Sequence, residues 1–279
     1  MNSPAMLKQR VLVALVLLPV GIALILWGGL AYLAMVAFFM AIAVWEYAHL
    51  FATLGRRPAA GLMVLGVLAL VGARYWLGFR GTAPLVVALM LLLLLYHMAD
   101  YARGAAESGT DFAVSLSGVL YLGLLGAYMI SLRQLPGGVW WVLLTLPTIW
   151  LADSGAYFIG RAWGRHKLSP RLSPKKTWEG YLGGILTGAA GAALLAWGMA
   201  ALGKGALPAG LTPSSAAALG LLLSALAPLG DLAESMFKRQ AAQKDSGHLL
   251  PGHGGAFDRI DSWLWAGMLA YYFILLVSW

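Results

Sequence analysis

Asp231, Glu234, Ser235 and Lys238 recur at the i, i+3, i+4 and i+7 spacing that shares one face of a helix. Carboxylates gathered on such a face repel one another unless a cation joins them. Oxygen ligands suit a hard divalent ion, and Mg²⁺ commonly keeps phosphate groups in its shell. The stretch continues through Phe237-Lys238-Arg239, Lys244-Asp245 and Pro251-Gly252-His253-Gly254-Gly255, closing with Asp258-Arg259-Ile260-Asp261. Gly254 and Gly255 would let backbone N–H groups approach an anion closely. Each fragment alone has an ordinary reading: Asp231 and Glu234 as partners of Lys238 and Arg239, or His253 as a loop residue. Together they gather acids for a metal, bases for phosphates and glycines for close approach.

A second polar stretch runs from Asp153-Ser154-Gly155 to Thr177-Trp178-Glu179-Gly180. Asp153 falls near the end of an apolar run, where a carboxylate is costly unless paired, hydrated or bound to a cation. Arg161, Arg165, Lys167, Arg171, Lys175 and Lys176 follow, and Pro170 and Pro174 break any continuous helix, which predicts a structured loop. Bases beside a membrane ordinarily set topology and attract anionic lipid. In Ser173-Pro174-Lys175-Lys176-Thr177, hydroxyls join the ammonium groups, a mixture suited to phosphate oxygens.

The elements that must position these residues are membrane spans. Of the 279 residues, 61% are hydrophobic and 11% charged, against about 25% charged in ordinary soluble domains. A soluble fold and a disordered chain are both excluded. Residues 11–45 carry no Asp, Glu, Lys or Arg and break naturally at Trp27-Gly28-Gly29. Further apolar runs near 60–79, 83–98, 112–132, 138–160, 180–203, 212–234 and 262–279 predict an all-α polytopic membrane protein of about nine helices. The runs are continuous rather than alternating, which argues against a β-barrel. A single membrane domain is expected, with N-terminal spans over 1–135 and a catalytic half over 136–279 holding loops 161–179 and 235–261. With nine spans, fifteen of the 19 basic residues and all 11 acids fall on the N-terminal face or on helix ends near it. That asymmetry predicts a cytoplasmic N-terminus and an active face toward the cytoplasm. Gly180, Gly184 and Gly188 form a small-residue stripe, read first as packing inside the chain and second as a homodimer seam. The absence of Cys removes disulfides, thiolate metal sites and cysteine nucleophiles.

The run Ser235-x-Phe237-Lys238-Arg239, Lys244-Asp245, Pro251-x-His253-Gly254-Gly255 and Asp258-Arg259-x-Asp261 resembles the phosphatidate cytidylyltransferase family, as does Ser173-Pro174-Lys175-Lys176-Thr177-Trp178-Glu179-Gly180. The likeness covers roughly the C-terminal half, and Ala256 departs from it where a larger aliphatic residue is expected. It implies CTP + phosphatidate → CDP-diacylglycerol + pyrophosphate at the cytoplasmic (inner) membrane. The implied cofactor is Mg²⁺, and the family admits a second, monovalent cation. CTP, phosphatidate and membrane lipid are the implied partners, with no nucleic acid. Asp231 and Asp258 become leading metal ligands, with Glu234 and Asp261 behind them. Lys238, Arg239, Lys244 and Arg259 would hold phosphates, and Asp245 and His253 complete the catalytic set. Ser173, Lys175, Lys176, Thr177, Ser235, Gly254 and Gly255 are the substrate-binding candidates. A CTP-dependent lipid or polyprenol kinase is the main rival. A transporter would need polar groups near mid-membrane, and the Asp-Gly-x-x-Ala-Arg type signature of CDP-alcohol phosphatidyltransferases is absent.

Overall fold

The computed structural model describes residues 4–202, 207–208, 210–247 and 254–277. The fold is all-α and polytopic: among the described residues, eight helical stretches are long and apolar enough to cross a membrane. Helix α1 (Pro4–Trp27) precedes α2 (Gly29–Ala52), and the described apolar part of α1 is the shorter Leu17–Trp27. The expected break between them is made by Gly28 and Gly29, at φ 70° and 54°, a conformation that favours glycine.

The chain forms two compact units. The first comprises residues 1–131 and 237–261. It contains α1, α2, α3 (Ala60–Leu77), α4 (Thr82–Ala102), α5 (Ser108–Gly118), the π-helical turn Val119–Leu124 and most of α6 (Leu125–Gln134). Gly118 faces Met63 and Tyr47, Gly123 faces Leu70 and Val67, and Gly126 faces Met40. An α-helix would turn Gly118 and Gly123 apart; the wider i→i+5 turn keeps both toward α3. The α2–α3 loop is tied down by Arg57 N–H to Asp111 (3.0 Å) and Ala59 N–H to Ser115 (3.0 Å). Outside the spans, the Arg56 guanidinium lies 2.7 Å from Glu107 and holds that carboxyl below its ordinary range.

The second unit comprises residues 132–236 and 262–279. Here α7 (Gly138–Trp163) packs on α8 (Trp178–Leu202), which packs on α9 (Pro213–Leu226). The glycine stripe makes this possible. A side chain at Gly180 or Gly184 would strike the α7 backbone, and one at Gly188 would strike Ser224 and Ala152. The stripe therefore serves packing within the chain. Gly184→Val should lower the melting temperature of the protein in detergent, because overpacking costs about 1–3 kcal/mol. Gly198→Val, on the same helix with nothing within 4 Å, should leave it unchanged. Equal melting temperatures for the two variants would contradict the packing assignment.

Between α7 and α8 the expected loop is a small hairpin. Strand β1 (Lys167–Ser169) pairs antiparallel with β2 (Ser173–Thr177), Lys167 opposite Thr177 and Ser169 opposite Ser173. Pro170 and Pro174 do exclude a helix, and the extended backbone they favour is used for strands. The expected 212–234 span divides at Ala227 into α9 and α10 (Pro228–Gln240), with Pro228 starting the second helix where its missing N–H costs nothing. Helix α11 runs from Phe257 to Val277, five residues earlier than the apolar run, because its first turn carries the charges of Asp258, Arg259 and Asp261.

Candidate active site

The first unit orders one part of the C-terminal signature. The Lys238 ammonium, near the end of α10, lies 2.5 Å from Asp258 Oδ1, with the two side chains 11% and 6% exposed. The other carboxylate oxygen of Asp258 accepts from the N–H of Gly255 (2.8 Å), the N–H of Ser246 (2.8 Å) and stands 2.9 Å from the Ser246 hydroxyl. Gly254, at φ +82°, turns the chain so that Gly255 can donate, and a side chain there would strike Asp258. So a carboxylate in the first turn of α11 organises an ammonium and two backbone N–H groups around itself. Arg239, Lys244, Asp245 and Arg259 are exposed on the same unit, and Asp261 is buried at 8% exposure. His253 lies outside the described residues.

Beneath this cluster Tyr47, Phe51, Tyr121, Phe237 and Phe257 pack ring against ring at centroid distances between 4.8 and 6.5 Å. Phe237 and Phe257 are chain neighbours of Lys238 and Asp258, so the aromatic packing fixes the backbone on which the ion pair sits.

The second unit orders the remaining signature residues. Lys176 on β2 forms an ion pair with Asp231 on α10. The Ser235 hydroxyl donates to Asp231 at 3.4 Å, and a carboxylate oxygen of Glu234 lies within 4.8 Å of one of Asp231. Asp153 is exposed on α7, in the same unit as Lys176 and Asp231. Strand geometry sends successive side chains to opposite faces: Lys176 is half-buried against Asp231, while Lys175 is exposed. Ser173 is half-buried. Thr177 is buried and acts as the N-cap of α8, its hydroxyl accepting from Gly180 N–H at 3.2 Å. Glu179 accepts from the N–H groups of Arg165 and His166 (3.1 and 3.2 Å) and meets His166 Nδ1 at 2.6 Å, closing the base of the hairpin.

Paired oxygen donors such as Asp231 and Glu234 fit a hard divalent ion by their chemistry. Sequence reasoning missed one residue. Glu46, on α2, appears there only among the acids, yet its buried carboxylate accepts from Ala256, Phe257 and Ser246 beside Asp258. The available signal was an acid inside an apolar run, as at Asp153. Ala256, fully buried, turns its N–H to Glu46.

Residues 8–277 match the model of the Cytidylyltransferase family. A protein of Synechocystis sp. named phosphatidate cytidylyltransferase is 34% identical over 304 residues, covering 96% of this chain and 97% of its own. Proteins of the same name from Brucella suis and Bacillus subtilis are 36% and 30% identical, covering 96% and 98% of this chain and 93% and 99% of theirs.

Proposed function

The chain belongs to the cytidylyltransferase family, and from that premise we propose that it is a phosphatidate cytidylyltransferase, joining CTP and phosphatidate into CDP-diacylglycerol and pyrophosphate. One feature supports this above the rest: the polar stretches form two lysine–aspartate pairs, Lys176 of one stretch with Asp231 of the other, and Lys238 with Asp258 within the C-terminal one. Cations held in place by carboxylates suit two polyanionic substrates better than loose surface lysines do.

In the reaction a phosphate oxygen of phosphatidate forms a bond to the α-phosphorus of CTP as the α–β anhydride bond breaks. The attacking phosphate is already ionised near neutral pH, so no general base is needed. Charge builds on the leaving pyrophosphate, and Lys238 and Lys176 are the ammonium groups assigned to neutralise it. Asp258 holds the aim of Lys238, and Asp231 does so for Lys176. Arg239, Lys244, Arg259 and Lys175 draw the substrates from the aqueous side. Gly254 and Gly255 hold the backbone close to Asp258, and His253, next to them in the sequence, belongs to the proposed catalytic set. Asp231 and Glu234 would hold Mg²⁺, with Asp258 and Asp261 as further candidate ligands, and the ion would supply charge neutralisation on the phosphates; a second, monovalent cation remains part of the proposal. The acyl chains stay in lipid.

The test is pyrophosphate release by purified protein with Mg²⁺. It should require both CTP and phosphatidate, and appear with a cytidine-bearing lipid. Formation of CDP and a phosphorylated lipid alcohol would favour the kinase reading instead. The site should face the cytoplasm of the inner membrane. Single cysteines at Gly55 and Pro170 should react with an impermeant thiol reagent only from the cytoplasmic side, and one at Lys204 only from outside. Outside labelling at 170 would put the hairpin on the wrong side from CTP.

A further inference from the structure

Glu46 sits on an apolar helix, 6% exposed, a costly place for a carboxylate unless it is fully met by donors. The donors it meets are neutral: Ala256 N–H at 3.0 Å on one oxygen, with Phe257 N–H at 2.9 Å and the Ser246 hydroxyl at 2.9 Å on the other. The two N–H groups lie at the start of α11, where backbone donors have no partner within their own helix. A negative charge is favoured there by the helix dipole as well. Glu46 is thus a cap supplied from 210 residues away. Gly247 and Gly255 line its carboxylate, and a Cβ at either would collide with it.

The contact does more than close a helix end. The Ser246 hydroxyl stands 2.9 Å from Glu46 and 2.9 Å from Asp258, and its oxygen accepts the N–H of Asp258 at 3.3 Å. One hydroxyl proton serves one of two carboxylates at a time, so the charge of Glu46 bears on the carboxylate that holds Lys238. We propose that Glu46 is a positioning residue for the transfer reaction: through Ser246 and the first turn of α11 it sets the aim of the Lys238–Asp258 pair. This rests on the function proposed above. Gln in its place would keep the size, but its amide N–H₂ must face one of the three donors.

The experiment compares Glu46→Gln, Ser246→Ala and their combination in the full-length protein in neutral detergent, with Leu93→Ala as a control. Leu93 is 1% exposed on α4, which packs on α3 and α5, so its truncation serves as the control for lost stability. Corrected for folded fraction, kcat should fall about 10- to 100-fold in Glu46→Gln. KM for CTP and for phosphatidate should each stay within about threefold. The double variant should be little worse than the poorer single one, as members of one network are non-additive. Amide exchange across 254–258 should quicken in Glu46→Gln and stay unchanged in Leu93→Ala. If Glu46→Gln does not fold, Ser246→Ala must show the kcat loss alone. Unchanged kcat, additive losses or unchanged exchange would each overturn the proposal. Wild-type protein that forms no liponucleotide would instead overturn the functional reading, while the exchange result would still decide the role of Glu46.

Discussion

Asp258→Asn is expected to lower kcat by at least about 100-fold, the scale of losing a preorganised electrostatic group. Asp258 is the counter-charge of Lys238 and the acceptor for Gly255 and Ser246, in a setting only 6% exposed. An amide supplies one acceptor oxygen where the site needs two, and it takes the Asp258 charge away from the Lys238 ammonium. On the sequence alone the site belongs at a wet face, where such a change would barely touch stability. The buried pair implies otherwise: removing one partner of a buried ion pair costs about 3–5 kcal/mol. Rates must therefore be taken per folded molecule. The discriminating variant is Lys238→Met combined with Asp258→Asn. It removes both charges, so it should regain part of the lost thermal stability and none of the lost turnover. A double variant regaining turnover along with stability would make the pair a structural staple only.

Lys176→Gln should lower kcat/KM about 30- to 100-fold, the effect of losing one charge-assisted contact, while Lys175→Gln stays within about threefold. The comparison is sharp because membrane attraction treats the neighbours alike, at about 1 kcal/mol each. Only the strand separates them, turning Lys176 to Asp231 and leaving Lys175 exposed. Rates against CTP and phosphatidate in neutral detergent, with no anionic lipid except substrate, remove the membrane contribution. Lys176→Arg should recover only part, since a planar fork does not reproduce a compact ammonium. Excess Mg²⁺ should not restore the Gln variant fully. Equal small effects at both positions would assign these lysines to topology.

The spans were legible because an uncharged apolar run of about 20 residues has few other uses. Their ends were less so. The charged first turn of α11 is helical although it ends the apolar run, and Ala227-Pro228 divides one run into α9 and α10. The hairpin strands of three and five residues are too short and too polar to show an alternating pattern. Within the site, helical spacing was enough to put Asp231, Glu234 and Ser235 on one face of α10. Thr177 before Trp178-Glu179-Gly180 is a local N-cap signal, but nothing local could show that Lys176, rather than Lys175, reaches Asp231. Glu46 escaped for a related reason: its partners lie about 200 residues away, and spacing carries no information over that distance.

The fate of the phosphates of CTP tests the central claim most directly. Purified protein is given phosphatidate, Mg²⁺ and CTP labelled on either the α- or the γ-phosphorus. Cytidylyl transfer predicts that the α-label moves into the lipid fraction and the γ-label leaves as pyrophosphate. A γ-label recovered in the lipid, with the α-label left in water-soluble CDP, would contradict the account and make the chain a kinase.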